Sequence, residues 1–261
     1  MRRKILTIAV TLTLSFTSGA ISVNAQGATG SLRFIGQFSN AGKTEKLVRK
    51  RFYLFRGGLA ENKALIDRIR AAEPLSRDCY YAEVKASGEF ICWLETEDCD
   101  SPFCRRFGEG DIERVPEFKA AYQTGLTAFA RKPELARDWL LTNLSPQLTT
   151  GFYRRRDALL AQITGEARPL QSSMTGTISV ETLFVDIPVA PPAGKKGETF
   201  LVTNLVPIEL GGKGYVWNCQ IEIQPDKRAT LRLPDVGKTV KACEVIVKDL
   251  KRCSTGGCGA K

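Results

Sequence analysis

The chain has 261 residues, a formal net charge of +10 at pH 7, eight cysteines and no histidine. A hydrophobic share of 43% and a length that suits one large or two small domains exclude a disordered or fibrous chain. The missing histidine excludes Ser-His-Asp and Cys-His triads, histidine zinc sites and histidine acid–base catalysis.

Arg2, Arg3 and Lys4 precede an apolar run from Ile5 to Phe16, and Val23-Asn24-Ala25 supplies small residues at a cleavage spacing. This three-part pattern predicts a secretory signal over residues 1–25, cut near Ala25, and a secreted or periplasmic product. The apolar run is shorter than the about 20 residues a spanning helix needs. No later stretch is apolar enough either, so no membrane span is expected. Cleavage removes three cations and no anions, so +10 becomes +7. That surplus is spread thinly along the chain. The basic runs at 49–51 and 154–156 are too short for a nucleic-acid stripe, and no nucleic-acid partner is expected. Weak attraction to anionic cell-surface polymers is compatible with the surplus.

Residues 26–110 read as strands, a helix and a cysteine-rich hairpin. In SLRFIGQF, Leu32, Phe34 and Phe38 alternate with Arg33 and Gln37. A turn follows, and then KLVRKRFYLF, whose interspersed cations suit an edge strand. The stretch GSLRFIGQFSNAGKTEKLVRKRFYLF (30–55) resembles the first two strands of carboxypeptidase-regulatory-like, transthyretin-like modules. That resemblance implies a non-catalytic accessory β-sandwich. Leu65, Ile66 and Ile69 then gather on one face of a helix over 59–72, which Pro74 ends. CYYAEVKASGEFICWLE (79–95) reads as a hairpin turning at Ser87-Gly88.

Residues 111–168 form a helical segment. Pro116, Pro133 and Pro146 each suit a first helical turn, and Ser145 can cap the last helix. Phe118, Tyr122, Gly125, Leu126 and Phe129, and then Leu148, Phe152, Leu159 and Ile163, recur at helical spacing and read as core. From 169 to 261 the period becomes two, giving a C-terminal β-domain with a cysteine-containing tail. In GYVWNCQIEI, Tyr215, Trp217, Cys219, Ile221 and Ile223 share one face. GGKG (211–214) is a hairpin turn. The expected fold is α+β and disulfide-bonded, with β-sandwich-like strands at about 30–56 and 174–248 and a helical segment at about 59–165. Two architectures fit: a sandwich interrupted by helices, or an α+β domain followed by a separate β-domain.

The eight cysteines are Cys79, Cys92, Cys99, Cys104, Cys219, Cys243, Cys253 and Cys258. An even count in an exported chain makes all of them disulfide candidates. They fall into two groups of four, and pairing inside each group would leave nine connectivities. Cys219 and Cys243 both face a core and suit a bond. Cys99 and Cys104, in CDSPFC, read as a structural staple, because Glu97, Asp98 and Asp100 disfavour a Cys99 thiolate. The cysteines lack paired zinc-finger spacings, and STGGCGAK lacks the Lys-Ser/Thr of a phosphate loop. No metal or cofactor is expected.

No Ser-x-x-Lys occurs after the signal, so the common histidine-free acylating motif is also missing. The chain therefore reads as an exported, non-catalytic binding or structural module of the cell envelope or extracellular space. Its expected partner is a protein or a cell-surface glycan. Arg49, Arg51 and Tyr53, together with Tyr153, Arg154 and Arg155, are the candidate contact residues. A carboxylate-dependent hydrolase acting on cell-surface glycans, built on Glu95, Glu97, Asp98 and Asp100, is the first alternative. Thiol–disulfide exchange through Cys99/Cys104 or Cys253/Cys258 is the second.

Overall fold

The computed structural model describes residues 28–40, 42–47, 50–174, 182–210, 212–238 and 240–251, together with residue 253. The expected signal peptide and Cys258 lie outside these residues. Eleven strands and seven α-helices occur among them. The class is α+β with disulfides.

Strands from both ends of the chain share sheets. β1 (Thr29–Ile35) lies between β10 (Arg228–Arg232), to which it is parallel, and β6 (Thr182–Pro188), to which it is antiparallel. β4 (Phe52–Arg56), β5 (Gln171–Met174), β7 (Glu198–Thr203), β8 (Ile208–Leu210), β9 (Lys213–Ile223) and β11 (Cys243–Asp249) form a six-stranded sheet. Its order is β11-β9-β7-β4-β5, with β8 also on β9. A small hairpin joins β2 (Gln37–Asn40) to β3 (Lys43–Lys46). The strand pairing fits an interrupted sandwich, because β1 and β4 are hydrogen-bonded to strands that follow the helices.

The alternation of apolar side chains builds the core. Leu32, Phe34, Val185, Ile187 and Leu231 on one sheet meet Leu54, Phe200, Val202, Trp217 and Ile223 on the other. The opposite face of the six-stranded sheet is buried as well. Tyr53, Phe55, Leu201 and Val216 pack on Leu65, Ile66 and Ile69 of α1 (Lys63–Ala71) and on Ile163 of α7 (Phe152–Thr164). Burial on both faces explains the near-continuous apolar runs of β4, β7 and β9. It also corrects the edge-strand reading of KLVRKRFYLF. β4 is interior, paired with β5 and β7, and the cations precede it.

The hairpin expected at 79–95 is two helices. α2 spans Arg77–Glu83 and α3 spans Gly88–Thr96. Ser76 and Ser87 cap them, accepting from the N–H of Cys79 and of Phe90. Ser87-Gly88 is thus a helix start, not a β-turn. Phe90, Ile91, Trp93 and Leu94 follow the helical period and are buried. With Tyr81, Phe118 and Phe152 they form an aromatic core for the helical lobe. That lobe includes α4 (Glu109–Arg114), α5 (Pro116–Ala128) and α6 (Pro133–Asp138), with Pro116 and Pro133 at first-turn positions. Gly125 lets α5 and α6 touch; a Cβ there would lie 3.0 Å from the Ala136 Cα.

Cations cap two helices where the lobe meets the sheets. Arg68 donates to the Ile163 and Thr164 carbonyls at the end of α7, at 2.6 and 3.0 Å. Lys248 donates to the Ile69 carbonyl, at 2.8 Å, and to that of Ala72, at the end of α1. Both satisfy carbonyls that a helix terminus leaves open, and both complement its dipole.

Candidate functional site

A cleft of ≈ 150 Å³ opens where the six-stranded sheet meets the helical lobe. Five stretches of chain line it. β4 and its approach supply Lys50, Arg51 and Tyr53. The loop after α3 supplies Asp98 and Asp100, and α7 supplies Tyr153 and Arg156. Arg77 and Glu209 complete the ionisable lining.

Each piece is held by identifiable interactions. Asp98 has a left-handed backbone (φ 48°) directly after the C-cap of α3. That is the position where a helix usually ends on glycine or asparagine. The Cys99–Cys104 disulfide closes the loop immediately beyond it. Tyr81 donates its hydroxyl to the Asp100 carbonyl at 3.0 Å. Arg77 is buried; it pairs with Asp78 at 2.8 Å and donates to the Leu94 and Cys99 carbonyls. On the sheet side, Asn204 fills the corner between β7 and β8. Its amide donates to the Val206 and Tyr215 carbonyls, and its oxygen accepts from the Trp217 N–H. This corner sets the position of β8 and so of Glu209.

Charges on opposite walls are matched. Lys50 pairs with Asp98 at 2.9 Å, and Arg156 pairs with Asp100 at 2.6 Å. The guanidinium of Arg156 also lies over the Tyr153 ring, 4.7 Å from its centroid. Glu209 is different: its backbone pairs with Gly214, but among the described residues its carboxylate makes no hydrogen bond or ion pair. Burial raises its pKa, and the nearby Arg77 opposes that rise. Burial also raises the pKa of the Tyr53 phenol, against the pull of Arg51 and Arg156.

The candidate contact residues separate. Arg51, Tyr53 and Tyr153 line the cleft together, although they come from opposite ends of the helical segment. Arg154 is exposed and does not line it. Arg155 pairs with Glu83 beside a second, wider groove of ≈ 630 Å³ near Tyr80 and Lys251. Arg49 lies outside the described residues. The four acidic candidates also separate. Asp98 and Asp100 reach the cleft, whereas Glu97 pairs with Arg105 at 2.8 Å and Glu95 is exposed. Arg156 could have been recognised from its i,i+3 spacing to Tyr153. Glu209 gave no signal, because its run reads only as an alternating strand.

The cysteines form Cys79–Cys253, Cys99–Cys104 and Cys219–Cys243 bonds, and Cys92 is also disulfide-bonded. Cys219 and Cys243 face each other across β9 and β11. Cys79–Cys253 joins one group of four to the other, so the pairing is not confined within the groups. The tail after β11 returns to the helical lobe, a proximity that sequence distance conceals. Cys253 is bonded to Cys79, and Cys258 lies outside the described residues. Among the described residues no group of three metal-ligating side chains occurs, and no helix is long and apolar enough to cross a membrane.

Comparison with protein-family models, with curated proteins and with solved structures finds no match.

Proposed function

We propose that the chain is an exported, non-catalytic binding module of the cell envelope, and that the cleft receives one terminal unit of a cell-surface glycan. One observation carries this reading. Arg51, just before β4, and Tyr53 of β4 line the same cleft as Tyr153 and Arg156 of α7, about 100 residues further on. Tyrosine offers an apolar ring with a polar tip, and arginine a planar fork of donors. Together they suit a hydroxyl-rich ring. The volume falls below the about 300–1,000 Å³ of a drug-sized pocket, which suits a single ring better than a chain.

The ion pairs of Asp98 and Asp100 support binding over hydrolysis, because neither carboxylate is left to act alone. Glu209, raised in pKa and unpaired among the described residues, is the feature that favours the hydrolase as a second reading.

Calorimetry of the purified protein against neutral and N-acetylated mono- and disaccharides tests the proposal. Binding that falls about tenfold or more in Tyr153→Ala supports it. No binding, or equal binding by the variant, overturns it. Saccharide cleavage that disappears in Glu209→Gln would establish the second reading instead.

A further inference from the structure

The outer face of the three-stranded sheet carries a group that neither the core nor the cleft uses. Strand register arranges it in rows. With β1 in the middle, Ser31 has Arg228 on one side and Asp186 on the other, Arg33 lies between Thr230 and Phe184, and Ile35 lies beside Arg232. The alternate residues turn inward to the sandwich core, which leaves these on the outer face, where Ile35 alone is buried. Phe184 is 57% exposed. The guanidinium carbons of Arg33 and Arg228 lie 6.0 and 5.1 Å from its ring centroid.

Three arginines outnumber one carboxylate, Asp186, on this face. Among the described residues, Arg33, Arg228 and Arg232 form no ion pair, and neither does Asp186. Arg232 contributes to the field at Asp235, whose carboxylate is already bonded to Lys238 and to the Ser39 N–H. Two guanidiniums therefore share one aromatic ring without a carboxylate between them, and their donor edges are open to solvent.

We propose that this face binds an acidic glycan, a chain bearing uronic-acid carboxylates. Arg33 and Arg228 fork onto carboxylates, and Phe184 provides the platform for a sugar ring. A guanidinium fits a carboxylate with two parallel hydrogen bonds, which makes arginine the suitable cation. Three arginines fall short of the roughly 6–10 phosphate contacts of a strongly salt-dependent nucleic-acid binder. Phe184 is the one large exposed apolar side chain on this sheet face among the described residues, too little for an interfacial membrane anchor.

Affinity electrophoresis through gels containing polygalacturonate, with dextran as the neutral control, tests this. The protein should be retarded by polygalacturonate and not by dextran. Arg33→Gln/Arg228→Gln should weaken the apparent Kd about tenfold, and Phe184→Ala about threefold with an unchanged salt dependence. Circular dichroism melts check that the variants fold. Absence of retardation, or retardation unchanged in the folded double variant, overturns the proposal. So does binding to phosphatidylglycerol vesicles, but not to polygalacturonate, that depends on the same residues. The cleft is tested with uncharged saccharides, so failure of either surface leaves the other standing.

Discussion

Cys79 and Cys253 are joined although 174 residues separate them. The bond ties the first turn of α2 to the segment that leaves β11, so the helical lobe and the sheets are stapled at a point distant in sequence. Three bridges account for six cysteines, and Cys92 is bridged as well. Non-reducing peptide mapping should therefore recover Cys79–Cys253, Cys99–Cys104 and Cys219–Cys243 peptides, with Cys92 in a further bridged peptide. Finding Cys253 joined to Cys258 would contradict this connectivity.

The Cys99–Cys104 bridge should matter more for binding than for stability. Its short loop makes it worth about 2 kcal/mol on the loop-entropy argument, against about 3.5 kcal/mol for Cys219–Cys243. Yet it holds the segment that carries Asp98 and Asp100. Replacing Cys99 and Cys104 by alanine should cost less in a urea titration than replacing Cys219 and Cys243. It should nevertheless weaken saccharide binding more.

Asp111 gives the fold an acid-sensitive point. Burial alone would raise its pKa, but hydrogen bonds from Arg105, the Gly108 N–H and the Trp93 indole hold it at about 2. A carboxyl whose pKa is lower in the folded than in the unfolded chain stabilises the fold above the unfolded value. That stabilisation is lost as pH falls from about 4 towards 2. Asp111→Asn should cost about 2 kcal/mol at pH 6. Denaturant titrations of the two proteins should converge near pH 2.

Glu209 has the opposite sign. Burial raises its folded pKa, and Arg77 only partly offsets this. Its contribution favours folding below the unfolded value near 4.5 and is lost as pH rises through the folded value. Glu209→Gln should therefore raise the melting temperature at pH 7, and the gain should vanish below pH about 4. A lower melting temperature at pH 7 would show that the carboxylate has a stabilising partner.

Much of the fold was legible wherever burial is one-sided or periodic. Leu65, Ile66 and Ile69 marked α1, the prolines at 116 and 133 marked helix starts, and the alternation through Tyr215, Trp217 and Cys219 marked β9. The failure at 79–95 has a local cause. Ser87-Gly88 is compatible with both a turn and an N-cap, and the aromatic residues beside it have high strand propensity. The packing of Phe90 and Trp93 against Phe118 decides for helix, a contact with no local signature. The cleft was half legible. Arg51, Tyr53 and Tyr153 stood out as Arg/aromatic mixtures, but their convergence depends on how α7 crosses the sheet. Arg77 and Glu209 owe their place to tertiary packing alone.

Amide chemical-shift mapping of the native protein, titrated with neutral and N-acetylated saccharides, tests the cleft most directly. Shifts concentrated at residues 51–53, 98–100, 152–156 and 204–209 are the predicted result. A bound saccharide that leaves those amides unmoved and perturbs a different surface would contradict it.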